Sequence, residues 1–320
     1  MAKLPRARGG RGRAVSLPAR AACNLSRALV VLFGISLITF VISHVIGDPL
    51  AVLLPLDAPQ ATRAVYRHEM GFDQPVGIQY LRFAADVVRG RFGDSFLVKK
   101  PALALITERI PRTLLLAAAG MGVALAVAFP LGILAGARRR SFADSASIVL
   151  AVAGAAIPIY WLGLMLQILL GVHLHWLPPS GYGSWRHLVL PAFSLGVFLA
   201  PVTMRLVRSG MIEALAQDYV RTARAKGMPE GAVLLRHALR NMLIPVLTVL
   251  GLQFGQLMGG AIITETVFSW PGVASLVVQA IQNSDFPVTQ AAVMTLAVII
   301  LSVNLTVDTL VGALDPRTRA

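Results

Sequence analysis

One cysteine, four lysines and fifteen acidic residues are all that this 320-residue chain holds of each. Each shortage excludes something. The lone Cys23 forms no internal disulfide and offers no cysteine-based metal site. None of the lysines (Lys3, Lys99, Lys100, Lys226) follows a glycine, so the phosphate-cradling G-x-x-x-x-G-K-S/T loop is missing. The chain is therefore not expected to bind ATP through such a loop. G-x-S-x-G, H-E-x-x-H and Cys/His clusters are missing too, and the six histidines are scattered, so an enzyme is not expected. Charge itself is scarce: 14% of residues are charged against 56% hydrophobic, and mean hydropathy is +0.71. A soluble domain of this length needs far more polar surface. The composition is that of a membrane protein.

What the chain does have is long apolar runs. A bilayer core requires roughly 20 mostly apolar residues per helix. Six runs qualify, at 28–47, 113–136, 146–172, 187–207, 242–265 and 289–312. The expected fold is all-α, a polytopic membrane protein of six transmembrane helices. Pro130 and Pro158 fall inside two of the runs, and neighbouring helices can satisfy the carbonyls they free.

Lysine and arginine placement gives the orientation. Residues 1–27 carry seven basic residues and no acid. ARRRSFADS follows the second run, Arg205 to Arg240 follow the fourth, and the tail ends DPRTRA. The alternate loops are poor in basic residues: 173–186 holds one arginine and 266–288 none. Both termini are therefore expected in the cytoplasm. The net charge of +14 resides in the four cytoplasmic segments, so it reports topology and not a nucleic-acid patch. The organisation expected is a basic tail (1–27), a first span (28–47), an external loop (48–112), a five-helix core (113–312) containing a cytoplasmic loop (205–241), and a tail (313–320). The external loop holds nine basic and seven acidic residues, and its length lets its charge count little. Within it Ile78, Leu81, Phe83, Val87 and Val88 have helical spacing. Short amphipathic helices are expected there, on the outer membrane face or against the ends of the spans. No small-residue cleavage site follows the first run, which reads as a retained anchor.

The loop after the fourth run is the most informative. From Met211, apolar residues recur at Ile212, Leu215, Ala216, Tyr219, Val220 and Ala223, one face of a helix. Lys226-Gly227 reads as a helix end and Pro229 as the start of the next helix. A helix 211–227 that presents a rigid, Gly-ended knob on the cytoplasmic face is expected. Three uses compete: a lipid-surface helix, a DNA-binding helix-turn-helix, which confinement between two spans disfavours, and a docking knob for a soluble cytoplasmic partner.

The stretch Tyr219 to Pro245 resembles the cytoplasmic coupling ("EAA") loop of permease subunits of binding-protein-dependent ABC importers. Ala223, Gly227 and Leu239 match that pattern; its glutamate, first alanine, isoleucine and proline do not. "DYVRTARAKG…HALRNMLIP" is similar to the variant of the dipeptide/oligopeptide/nickel branch. FGDS (93–96), ARRRSFAD (137–144), IPIYWLG (157–163), LPPSGYGSWRHLVLPA (177–192), ETVFSWPGV (265–273), SDFPVTQA (284–291) and NLTVDTLVGALDPR (304–317) agree with it. The resemblance implies a type I ABC importer permease fold. It further implies a heterodimer with a homologous permease, two cytoplasmic ABC ATPases that hold the ATP and Mg, and an extracytoplasmic solute-binding protein. No nucleic acid and no cofactor of the chain's own are implied. The implied cargo is a di- or oligopeptide, with nickel or a nickel–metallophore complex as the alternative; a non-transporting scaffold or receptor is the reading from another class. Ala223 and Gly227 carry over by motif to the ATPase contact, and Tyr219, Arg221, Thr222, Arg224, Ala225 and Lys226 by adjacency.

Polar and small residues at membrane depth supply further candidates. Gln253 and Gln256, with Gly255 and Gly259, are candidates for the translocation path. Gly251, Gly255 and Gly259 also suit plain tight helix packing. Asn304 and Asp308, one turn apart, suggest a structural latch. Glu265 and Asp285, at the outer mouth, are candidates for binding-protein contact or simple solvated loop acids. His173 and His175 flank Leu174 before Trp176, where interfacial anchoring outweighs metal binding; with His187 they gain interest only under the nickel alternative.

Overall fold

The computed structural model describes residues 17–43, 58–69, 71 and 73–314. The basic stretch 1–16, the start of the external loop and the tail 315–320 lie outside them. Among the described residues the chain is helical, with one isolated antiparallel bridge between Asp94 and Pro101. Four helices are long and apolar enough to cross a membrane, or six if each of two bent pairs forms one span.

The first helix, α1 (Leu17–Val41), starts about three turns before the expected span. Its apolar window begins at Asn24. Pro18 is tolerated in a first turn and the alanines that follow are strong helix formers, so the helix outruns the greasy segment. Three short helices follow: α2 (Gln60–Glu69), α3 (Val76–Val88) and α4 (Ala102–Thr107). α3 leans on α1. The Tyr80 ring meets Phe33 and Phe40 edge-on at 6.1 and 5.4 Å, and its hydroxyl shares a 2.9 Å hydrogen bond with Ser36. Ile78, Leu81 and Val88 remain exposed, so α3 both packs on a span end and keeps an apolar face outward. Between α2 and α3, a 2.6 Å contact from His68 holds the Asp73 carboxyl below its usual pKa.

The core comprises α5 (Ile110–Ala137), α6 (Phe142–Ala156), α7 (Ile159–Leu166) with wider π-type turns to His173, and α8 (Trp185–Leu215). Then come α9 (Asp218–Ala225), α10 (Glu230–Ala232) with π-type turns from Val233 to Ala238, α11 (Leu239–Val267), α12 (Val273–Gln282) and α13 (Phe286–Leu314). The run 146–172, expected as one span, is sharply broken: α6 and the segment 159–173 meet at 94°. Ile157 is extended (ψ 120°) because the residue before a proline is driven out of the helical region, and Pro158 caps α7. A second bend, of 55°, separates Glu230–Leu243 from Val246–Gly255 at Pro245, which has no N–H to give the helix ladder.

α5 and α8 form the most extensive helix pair. The cause is a stripe of small buried residues on α5: Gly120, Ala124, Ala128, Gly132 and Gly136. Four-residue spacing puts them on one face, and in lipid small residues allow the close backbone approach that replaces hydrophobic driving force. Leu195, Val207 and Met211 of α8 occupy the space that side chains at Gly120, Gly132 and Gly136 would need. Gly196 of α8 returns the fit by admitting Val123. α11 packs on α8 and α13; α1, α4 and α12 rest on α13.

Gly132→Ala tests the seam. Its Cβ meets Val207 Cβ at 2.7 Å and the Met204 carbonyl at 2.8 Å, and backbone cannot yield cheaply. Overpacking costs about 1–3 kcal/mol. A marked fall in detergent-solubilised thermal stability is expected, while Gly122→Ala on the same helix, which meets nothing within 4 Å, leaves it unchanged. Equal stability of the two variants would remove the seam from the explanation of the fold.

Candidate functional site

The expected helix 211–227 is two helices. α8 ends at Leu215, Gln217 adopts an extended conformation (ψ 152°), and α9 restarts at Asp218. α9 therefore lies as a separate strut between the ends of α8 and α11. Val220 and Ala223 are buried against Val233, with Leu215 and Met228 at the margin. Its end forms a Schellman cap: the Met228 N–H donates to the Ala223 carbonyl at 3.3 Å and the Gly227 N–H to the Arg224 carbonyl at 2.9 Å. Gly227 has φ +75°, the left-handed value that such a cap requires and that glycine adopts without strain. Pro229 stands one place before α10, as its cap, rather than as the first helical residue.

This folding sorts the candidate residues. Tyr219, Arg221, Thr222, Arg224, Ala225, Lys226 and Gly227 are exposed. Ala223 is not: it is 5% exposed and faces the loop's own core, so it supports the strut and does not form its outer surface. Arg224 is occupied, its Nε donating to Glu230 Oε2 at 3.1 Å and its Nη2 to Oε1 at 2.5 Å, which ties α9 to α10. Arg221 sits 3.5 Å from Asp218. Exposed pairs of this kind contribute little stability, but a bidentate one fixes direction.

The same end of the bundle holds a feature that the sequence did not single out. Arg208 of α8 grips Asp144 of α6, Nε to Oδ1 at 2.6 Å and Nη2 to Oδ2 at 3.0 Å. The Arg140 N–H adds a third bond to Oδ2 at 2.9 Å, and Ser141 caps α6 by accepting from the Asp144 N–H. The S-x-x-D pattern at 141–144 was the available signal. Asp144 is 4% exposed, so its charge depends on these donors.

At the opposite ends of α5 and α11, Glu265 corrects an expectation. It is fully buried and contacts no outer surface. Thr113 Oγ1 donates to its Oε1 at 2.7 Å and the Ser275 N–H to its Oε2 at 2.9 Å, while Thr113 Oγ1 also accepts from the Val273 N–H at 2.8 Å. Gly272 is needed because any side chain there would strike this carboxylate. The Trp270 indole donates to the Arg112 carbonyl at 3.1 Å, and the Arg112 guanidinium lies 5.0 Å from the centre of the Tyr182 ring. Glu265 thus clasps α5, α11 and α12. Asp285 is likewise inside, 3% exposed, accepting from Ser95 Oγ at 2.5 Å and from the Phe96 N–H at 3.1 Å. It fastens the turn at 95–96 to the start of α13. Neither acid is a solvated loop group or a free contact for a binding protein.

Gln253, a path candidate, is 3% exposed and accepts from Thr203 Oγ1 at 2.8 Å, a bond between α11 and α8. Gly251 packs tightly on Val307 of α13, and Gly255 faces Ile300 and Asn304. Those two glycines therefore serve close packing within this chain. The side chain of Gln256, the surroundings of Gly259, and the side chain of Asp308 lie outside the described residues. Asn304 Oδ1 is buried without a hydrogen-bond partner beside a cavity of about 250 Å³ lined also by Thr248, Gly251, Leu252 and Val307. His187 is engaged in capping: its Nδ1 accepts from the Ser184 N–H at 3.3 Å. Among the described residues no group of three or more His, Cys, Asp or Glu side chains is placed to hold a metal.

A bundle of bent and straight apolar helices, clasped at both ends and carrying a short exposed strut between two of them, defines a multi-pass membrane protein. Comparison with known proteins gives the family. Residues 128–320 match the binding-protein-dependent transport system inner membrane component, and residues 22–117 match the N-terminal part of such membrane components. The chain is 38% identical over 289 residues to the glutathione transport system permease protein GsiC of Escherichia coli (strain K12), covering 90% of this chain and 94% of that protein. The GsiC of Salmonella typhi is 38% identical over 286 residues, 89% and 94% of the two chains. The chain belongs to the binding-protein-dependent ABC importer permeases, in the dipeptide/oligopeptide/nickel branch. It is a non-catalytic, multi-pass inner-membrane subunit, and its class implies a second permease, ATPases and a binding protein.

Thr113→Val tests the clasp. It leaves Glu265 Oε1 and the Val273 N–H short of a partner, and each unmet buried group costs about 1–3 kcal/mol. Thermal unfolding of the solubilised protein should begin several degrees lower than for wild type, whereas Thr113→Ser should restore it. A Thr113→Val variant as stable as wild type would show the clasp to be dispensable.

Proposed function

We propose that the chain forms half of a heterodimeric translocation path for short peptides and is driven through the loop 211–241. What supports the cargo is the near full-length similarity to permeases named for glutathione, itself a tripeptide. What supports the drive is α9: a capped, rigid strut, packed on its inner face and bare on its outer one, in the loop whose sequence resembles a coupling loop. On this reading two cytoplasmic ATPases carry ATP and Mg, and closure of their pair on ATP displaces α9. Tyr219, Arg221, Thr222, Ala225, Lys226 and Gly227 meet the ATPase, and Arg224 holds the strut's angle through Glu230. α9 is hinged to α8 at Gln217, so its motion acts on the end of the α5–α8 pair and shifts the population between outward- and inward-facing packings. Both termini then face the cytoplasm, and the loop 48–112 faces the binding protein. Cargo choice rests mostly with that binding protein.

Two outcomes are expected. Uptake of labelled glutathione or a labelled dipeptide should be lost in a strain lacking this chain and restored by the gene, with labelled nickel uptake unaffected. Loss of nickel uptake with normal peptide uptake would overturn the peptide reading and bring His173, His175 and His187 under test. Gly227→Asp should leave the protein inserted, because its Cβ meets nothing within 4 Å and aspartate tolerates a left-handed conformation at modest cost. ATPase co-purification or cargo-stimulated hydrolysis should nevertheless fall by about tenfold, the effect of disturbing one contact worth about 1.4 kcal/mol. Normal values for both would remove α9 from the coupling mechanism.

A further inference from the structure

A second cavity, of about 470 Å³, lies where the end of α1, the flank of α3 and the start of α13 meet. Ser43, Arg82, Asp86, Arg91, Phe96 and Gln290 are among the residues that line it. Three features mark it as built. Ser43 is 1% exposed, and its Oγ has no hydrogen-bond partner among the described residues. Arg82 and Arg91 both line the cavity, and neither joins an ion pair among the described residues, although the charge of Arg82 also acts on the Asp73 carboxyl. Asp86, one helical turn after Arg82 on α3, adds a single carboxylate to the same wall.

The chemistry of that lining selects a zwitterion. Two arginines stand in one lining, and guanidinium forks suit phosphate oxygens. A lone carboxylate beside them suits an ammonium that can donate hydrogen bonds. Aromatic walls suit an amphiphile. The setting is also that of a lipid boundary: α1 is largely exposed along its apolar length, and α3 turns Ile78, Leu81 and Val88 outward beside it. Arginines beside a lipid-facing helix can hold the phosphate of a headgroup through charge-assisted hydrogen bonds.

We propose that this recess binds the phosphoethanolamine headgroup of a membrane phospholipid. The phosphate lies between Arg82 and Arg91 with Ser43 Oγ donating to it, and the ammonium is turned to Asp86. The bound lipid tacks the external helices to the α1–α13 end of the bundle. Cargo and ATPase coupling play no part in the inference, so it stands or fails apart from the transport reading.

The test uses the full-length permease, purified with its partner subunits and placed in nanodiscs holding equal mole fractions of phosphatidylethanolamine, phosphatidylcholine and phosphatidylglycerol. Lipid retained through detergent washing is read by native mass spectrometry. Wild type should retain phosphatidylethanolamine in preference to both others. Arg82→Gln with Arg91→Gln should lower that retention by about tenfold or more, the effect of losing one charge-assisted hydrogen bond. Asp86→Asn should keep a bound phospholipid but lose the preference for ethanolamine over choline. Equal retention of the three lipids by wild type overturns the proposal whether or not the variants fold. Complete displacement by inorganic phosphate at matching concentration also overturns it, since the site would then take the free anion and not the lipid.

Discussion

Two helices that meet in lipid gain nothing from hydrophobicity, because the tails around them are as apolar as their own side chains. Close packing must hold them. In this chain the stripe from Gly120 to Gly136 lets α8 press against α5 along most of its length. α6 and α11 rest directly on that pair. α6 lies on α8, α11 crosses α8 and α13, and α12 caps the junction. The seam also runs to the functional end: Met211 fills the notch at Gly136 one turn before α8 stops and α9 begins. α9 is therefore joined to the end of a close-packed two-helix unit.

Polar chemistry is confined largely to the ends of that unit, where it does a different job. Arg208 and Asp144 join α8 to α6 beside the coupling loop. Glu265, Thr113 and Ser275 join α11, α5 and α12 at the far end. Between them the Thr203–Gln253 bond crosses from α8 to α11. Removing one partner of such a group is costly because the other stays buried.

Much of this was legible in the sequence. The apolar runs located the helices, since a bilayer imposes a length that few soluble helices reach. Gly227 announced its left-handed cap, because Lys-Gly before a proline has few other uses. The bend at Pro158 was half legible: the proline was visible, but the 94° angle depends on what the freed segment packs against. The break at Gln217 was illegible, since the apolar periodicity runs through it unbroken while the backbone turns. Glu265 and Asp285 were misplaced for one shared reason. An acid near an outer loop looks solvated until its donors are known, and Thr113 and Ser95 lie more than 150 residues away in the chain. Asp144 was passed over because the arginine that explains it had been counted only as a topology charge.

The central claim is that α9 is the surface through which the ATPases move this bundle. Arg221 lies on its exposed face, and the chain's one native cysteine, Cys23, can be replaced by alanine. A cysteine at Arg221, fitted with a short photo-crosslinker in the assembled importer, should join the ATPase subunit, and the yield should change between the ATP-bound and nucleotide-free states. Cross-linking to lipid alone, in a complex that still transports, would contradict it.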